Sequence, residues 1–345
     1  MRIFSGIQPT GTKHLGNYIG AIRQYLAGQE RGEALFCIVD LHAITVAYDP
    51  AELRRSLYDL TALLLAAGLD PDRSVLFRQS DVPEHTELTW LLTSVTAYGD
   101  LQRMHQFKDK SASQRELVSA GLFLYPVLMA ADVLAYRAND VPVGDDQRQH
   151  VELMRDIAIR FNARFGDGQD VLVVPEHRIP EVGARVMDLQ DPTRKMSTTG
   201  GSEQGTVYVL DEPDAILKKL RSAVTDSGRE IERSPEKPGV SNLIEILAVA
   251  QGVTPEQVQA GMRDARGYGD LKAATAEAVV RMLAPVRERY VQLRPDEPAL
   301  EAVLAAGAEQ ARTIAARTLA DVRERMGVGR PRSVSAAVES VSAPS

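Results

Sequence analysis

Up to about residue 80, short apolar runs alternate with helix-periodic segments, and this alternation restricts the fold more than any other feature of the chain. Arg2 to Ile7 reads as a strand, followed by a Pro9/Gly11 turn and a helix starting near Leu15. Phe36-Cys37-Ile38-Val39 is a continuous apolar run, as expected of a parallel strand covered on both faces. Asp49, Pro50 and Glu52 then supply an N-cap, a first-turn proline and a capping-box acid. Leu53, Leu57, Leu60 and Leu64 follow at helical spacing, and Gly68 closes that helix. Ser74 to Phe77 is the next strand. Strand, helix, strand, helix, strand in this order requires a right-handed parallel α/β sheet.

Further along, residues from Glu84 to about Phe165 are mostly helical in pattern, with an interruption at Val141-Pro142-Val143-Gly144. Val171 to Val174 reads as one more buried strand. Beyond Gly200-Gly201 the pattern is helical throughout, with helices expected at 213–223, 239–251, 254–264, 270–290 and 297–326, the last closed by Gly327. Ser333 to Ser345 has the composition of a disordered tail. An α/β nucleotide-type domain followed by a helical domain is the expected architecture, and 345 residues suffice for both.

Charge and cysteine content narrow the chemistry. The net charge of −7 argues against indiscriminate nucleic-acid binding, DNA included, while allowing a local basic face. Basic residues gather late, at Lys218, Lys219, Arg221, Arg287, Arg289, Arg323, Arg325, Arg330 and Arg332, where a solvated helix surface is the plainer reading. One cysteine, Cys37 in an apolar run, excludes a disulfide framework or a paired-cysteine zinc site. The sequence passes directly into Arg2-Ile3-Phe4-Ser5-Gly6 with no secretory pattern, and no apolar run reaches the ~18–20 residues that span a bilayer. A cytoplasmic enzyme is expected.

Ligands of such sheets bind beyond the carboxyl ends of the strands, where Gln8-Pro9-Thr10-Gly11 and the helix after His14 fall. A helix N-terminus presents unpaired N–H groups and positive partial charge, suited to phosphate, and His14 can donate to a phosphate oxygen. No P-loop and no dinucleotide fingerprint is present. A second centre lies on the helix from about Leu117 to Ala138, where Tyr125, Met129, Asp132 and Tyr136 share a face. Asp132 in that apolar stripe needs a donor. Either an arginine supplies it, or Asp132 is the acceptor at the bottom of a ligand pocket completed by Val141 and Val143. Gly144-Asp145-Asp146-Gln147 precedes a helix containing His150; the acids could cap that helix, grip a ribose or hold a metal, the cap being the simplest reading.

Six ordered segments, spanning about residues 2 to 330, resemble the bacterial tryptophanyl-tRNA synthetase family of class I aminoacyl-tRNA synthetases. They are Phe4 to Gly11 with His14-Leu15-Gly16-Asn17; Phe36 to Thr45; Tyr125-Pro126 through Asp132; Val141 to Gln147; Lys195-Met196-Ser197; and Ser222 to Ser227. The resemblance implies a Rossmann-type parallel sheet over 1–200 with a helical insertion at about 84–140 and the Lys195-Met196-Ser197 loop at its end. It further implies an all-α tRNA- or anticodon-binding domain over 201–330, whose last helix packs back on the catalytic domain, and a tail over 331–345.

The same resemblance implies ATP-dependent activation of L-tryptophan and its transfer to the terminal ribose of tRNA(Trp) by a homodimer, with Mg²⁺ held by the ATP phosphates rather than by side chains. ATP would be contacted by Gln8, Pro9, Thr10, His14, Gly16, Asn17, Gly144, Asp145, Asp146, Val186, Lys195, Met196, Ser197, Thr198 and Thr199. His14, Asn17, Lys110, Lys195 and Ser197 would carry catalysis. Tryptophan would be contacted by Phe4, Gln8, His42, Tyr125, Met129, Asp132, Val141, Val143 and Gln147, with Asp132 accepting the indole N–H. The family pattern at the second loop is Lys-Met-Ser-Lys-Ser, whereas this chain has Thr198 and Thr199 after Ser197, one positive charge fewer. A tyrosyl-tRNA synthetase is the nearest alternative. An auxiliary tryptophan-binding paralogue with a regulatory or partner-binding role is the other.

Overall fold

In the computed structural model, residues 1–104, 118–144, 147–178, 185–197 and 201–331 are described. Five strands, β1 (Arg2–Ile7), β2 (Glu33–Ile38), β3 (Val75–Arg78), β4 (Asp140–Pro142) and β5 (Glu176–Arg178), form one parallel sheet in the order β3-β2-β1-β4-β5. The order reverses between β1 and β4, so a crevice opens beyond their carboxyl ends.

Alternating side chains of the central strands feed two cores. Ala34, Phe36 and Ile38 of β2 join one; Leu35 and Cys37 join the other. The first core is covered by helix α1 (Leu15–Asn17), which runs through a π-helical turn into α2 (Arg23–Gln29). The α3 helix (Asp40–Ala43) follows β2, and α4 (Pro50–Ala67) adds to the first core. Asp49 Oδ1 caps α4 through Glu52 N at 2.7 Å, and Gly68 closes it at φ +114°. The second core is built by α5 (Glu84–Thr93), α6 (Tyr98–Gln102), α7 (Ala120–Leu134) and α8 (Arg148–Phe165).

The Val171–Val174 run is not a strand. Val171 and Leu172 are buried, but Asn162 on α8 accepts from Leu172 N at 2.9 Å and donates to Leu172 O at 2.8 Å. A side-chain amide thus occupies both ladder positions, and pairing with β4 begins only at Glu176. The apolar run signalled burial correctly, but burial alone does not make a ladder.

After residue 201 come α9 (Pro213–Arg221), α10 (Pro238–Gln251), α11 (Pro255–Gly261), α12 (Tyr268–Leu293) and α13 (Glu297–Met326). Their apolar faces, including Ile216, Leu243, Leu247, Leu271 and Val279, continue the first core. Helix α13 crosses the edge strand β3: Leu300 and Leu304 enter the first core, whereas Ala311, Ala315 and Leu319 enter the second. At the crossing, a Cβ on Gly307 would stand 1.9 Å from Leu76 O, so only glycine permits this approach. The helix covers an edge that would otherwise offer unpaired backbone to another chain.

Candidate active site

A cavity of about 570 Å³ opens at the reversal point of the sheet, between the end of β1 and the segment after β4. Phe4, Gln8, His42, Tyr125, Met129, Asp132, Val141, Val143 and Gln147, the nine residues expected around an aromatic amino acid, all line it. Of those expected at ATP, Gln8, Thr10, Asn17 and Gly144 line the same cavity. His14, Gly16, Val186, Lys195, Met196 and Ser197 stand outside its lining, and Pro9 borders a small neighbouring cleft. Lys110, Asp145, Asp146, Thr198 and Thr199 lie outside the described residues.

At the floor, Asp132 is 2% exposed. Its protein partners include no arginine: Oδ2 is 2.8 Å from His42 Nε2, and Oδ1 takes Gln79 Nε2 at 2.7 Å together with His85 Nδ1. Burial raises the carboxyl pKa, but the two neighbouring histidines outweigh it and hold the group well below the usual carboxylate range. Gln79 and His85 were not foreseen, because 53 and 47 residues separate them from Asp132 and no local pattern marks them. Tyr125 stands beside the floor with its hydroxyl 2.8 Å from His150 Nε2, and burial pushes the phenol up to about 12.

At the mouth, His14 is the N-cap of α1. Its Nδ1 accepts from Asn17 N at 3.3 Å, and Asn17 Oδ1 accepts from His14 N at 3.1 Å. Burial, with Lys195 and Lys13 adding to it, lowers the imidazole pKa to about 4. The ring is therefore neutral at pH 7 with Nδ1 as acceptor, which places the proton on Nε2 as a donor. Lys13 Nζ donates to the carbonyls of Gln8, Thr10 and Gly11 at 2.8, 2.7 and 3.3 Å, pinning the turn, and burial lowers its pKa to about 8.

The two signature segments are brought together by backbone. Val207 O accepts from Leu15 N at 2.8 Å, Lys13 O accepts from Val209 N at 2.9 Å, and His14 forms an antiparallel bridge with Tyr208. Gly16 packs without a side chain between the His14 ring and Val186. Val186 O accepts from Met196 N at 3.0 Å, and Thr206 Oγ1 donates to Ser197 O at 3.3 Å. Lys195 is exposed, whereas Met196 is buried in the first core and anchors the segment. Among the late basic residues, Lys219 is not surface: it is buried, paired with Asp211 at 2.7 Å and seated over the Tyr208 ring.

His14 at the start of α1, the exposed Lys195 near it and a cavity floored by Asp132 thus share the carboxyl end of a parallel sheet, the place where enzymes of this fold class bind their ligands. The chain belongs to the class I tRNA synthetase family for W and Y, whose pattern matches residues 1–284. It is 50% identical over 330 residues to the tryptophan–tRNA ligase of Oceanobacillus iheyensis, covering 95% of this chain and 99% of that one. It is 47% identical over 327 residues to the tryptophan–tRNA ligase of Wolinella succinogenes, covering 95% and 98%. Among solved structures, the tryptophanyl-tRNA synthetase of Mycoplasma pneumoniae superposes with a TM-score of 0.88 at 37% identity, covering 95% of this chain and 98% of that chain. The Campylobacter jejuni enzyme complexed with ADP and tryptophan does so with a TM-score of 0.78 at 35% identity, covering 95% and 100%.

Proposed function

We propose that this protein is a tryptophan–tRNA ligase: it activates L-tryptophan with ATP to tryptophanyl-adenylate and pyrophosphate, then transfers the acyl group to the terminal ribose of tRNA(Trp). The observation that carries this is the buried, ionised Asp132 at the floor of a cavity whose wall includes Phe4, Met129, Val141 and Val143. Such an acceptor welcomes a ring with an N–H and disfavours one lacking it by as much as ~10⁴-fold.

The substrate carboxylate attacks the α-phosphorus, and the P–O bond to the pyrophosphate leaving group breaks. No protein nucleophile is needed. Gln8, Tyr125 and Gln147 orient the amino acid; Thr10, Asn17 and the His14 Nε2–H face the phosphates; Lys195 stabilises the charge that develops on pyrophosphate. Mg²⁺ bound to the ATP phosphates would supply further charge neutralisation. Among the described residues no group of three or more His, Cys, Asp or Glu is placed to hold a metal ion.

The helical region after residue 201 serves tRNA docking, with exposed Lys218, Arg221 and Arg289 as candidate phosphate contacts. The protein acts as a homodimer in this reading, with Trp90 of α5, Tyr98 of α6 and Ile159 of α8, 75%, 66% and 51% exposed, as candidate contacts. Among the described residues no helix is long and apolar enough to cross a membrane; charging of tRNA would place the protein in the cytoplasm. Tryptophan- and tyrosine-dependent ATP–pyrophosphate exchange, followed by charging of tRNA(Trp), tests the proposal. Exchange with tyrosine in place of tryptophan, or tryptophan binding without charging, would refute it.

A further inference from the structure

Counting lone pairs on Asp132 assigns work to residues outside the cavity wall. A carboxylate oxygen accepts about two hydrogen bonds. Oδ1 has both, from Gln79 and His85, while Oδ2 has one, from His42. One acceptor position is left, and the carboxylate lines the cavity.

The donors are themselves fixed. Gln79 Oε1 accepts from Leu41 N at 3.1 Å, so the amide cannot turn its oxygen towards Asp132. The His85 ring is fully buried, and its Nε2 lies 2.6 Å from the Tyr136 hydroxyl. Burial pushes the Tyr136 phenol up, so it keeps its proton and donates to Nε2. That donation and the acceptor-only carboxylate on the other side together fix the ring with its Nδ1–H facing Asp132. Tyr136 also stacks on Phe4 at 5.4 Å, and Phe4 lines the cavity.

We propose that His85 and Tyr136 are positioning residues for amino-acid selection: by occupying Oδ1 from behind, they leave a single Oδ2 position that one ring N–H completes. This rests on the tryptophan reading of the cavity. The other titratable groups facing this network are His42 from α3, Cys37 from β2, and Glu84 beside Tyr136.

The test uses the full-length enzyme and ATP–pyrophosphate exchange between pH 5 and 9, with His85→Leu, His85→Asn and Tyr136→Phe. Tyr136→Phe removes one oxygen and leaves His85 Nε2 without its donor, loosening the ring behind Asp132; His85→Asn keeps a donor near the Nδ1 position. Expected are a rise in KM for tryptophan of about 10- to 100-fold in His85→Leu and Tyr136→Phe, an unchanged KM for ATP, and substantial recovery in His85→Asn. The tryptophan-over-phenylalanine ratio of kcat/KM falls with them, and the acid limb of kcat/KM for tryptophan moves to higher pH as the His85 bond to Asp132 is lost in His85→Leu and weakened in Tyr136→Phe. Should His85→Leu not fold, Tyr136→Phe decides. An unaltered selectivity ratio and acid limb in folded Tyr136→Phe, or equal rises in both KM values, overturns the inference. A wild-type enzyme without tryptophan-dependent exchange would instead overturn the reading beneath it.

Discussion

The side-chain amide of Asn242 brackets the backbone of Met187: Nδ2 donates to Met187 O at 3.0 Å, and Oδ1 accepts from Met187 N at 2.9 Å. Asn242 is buried on α10, in the helical region, while Met187 forms an antiparallel bridge with Lys195. The position of the lysine backbone is therefore set from across the molecule.

Replacing Asn242 with leucine of similar size leaves two backbone groups unpaired, at a cost of about 1–3 kcal/mol for each. We expect KM for ATP to rise about tenfold with KM for tryptophan unchanged, since the floor of the cavity shares no bond with this clamp. Steady-state exchange kinetics check this; parallel increases in both constants would show the clamp to be merely a fold element.

His14 separates capping from chemistry. Asparagine there can still accept from Asn17 N but lacks the outer Nε2–H. His14→Asn should keep unfolding stability within about 1 kcal/mol of wild type while tryptophan activation falls on the order of 10²–10³-fold. His14→Ala should lose both. Urea unfolding beside single-turnover adenylate formation distinguishes the two.

The depressed imidazole pKa also gives a pH signature. Burial first, then Lys195 and Lys13, take His14 from 6.5 to about 4. Below pH 6.5 the unfolded chain binds a proton that the folded one refuses, so stability falls as pH drops from about 6.5 to about 4 and this contribution levels off below that. The full effect is up to about 3 kcal/mol. Asp132 acts in a separate, lower window, because its folded pKa lies beneath the normal carboxylate value and its contribution is lost only on further acidification. His14→Asn should flatten the upper limb of a stability–pH curve and leave the lower one.

Lys195→Ala should reduce tryptophan-dependent exchange by about 10²–10³-fold, because the family's second loop lysine is replaced here by Thr198 and less charge is available to share the task. Near-normal exchange in this variant would remove Lys195 from the proposed mechanism.

Gly307→Ala sets two effects of opposite sign against each other. Alanine gains about 1 kcal/mol in helix propensity. Its Cβ would meet Leu76 O at 1.9 Å, and neither backbone can move without unseating α13 from the sheet edge. The clash wins, with a net loss of about 3 kcal/mol or more, measurable as a lowered Tm.

Much of the fold was legible because its signals are local. The unbroken apolar run of β2, the Asp49 cap, the Gly68 stop and the bounds of α13 are signals carried within a turn or two of chain. The nine residues read as an amino-acid pocket do converge on one cavity, since the order of strands fixes where β1 and β4 end. Partner choice was not legible. That Asp132 is held by Gln79 and His85, that Asn162 rather than a strand satisfies Leu172, and that Lys219 is an internal ion pair all depend on which elements cross and at what distance. Period and capping are properties of neighbouring residues, so the sequence determined the elements and which of their ends carry the candidate site residues. Hydrogen-bond saturation of a buried group is a property of the packed interior, and only the tertiary structure decided it.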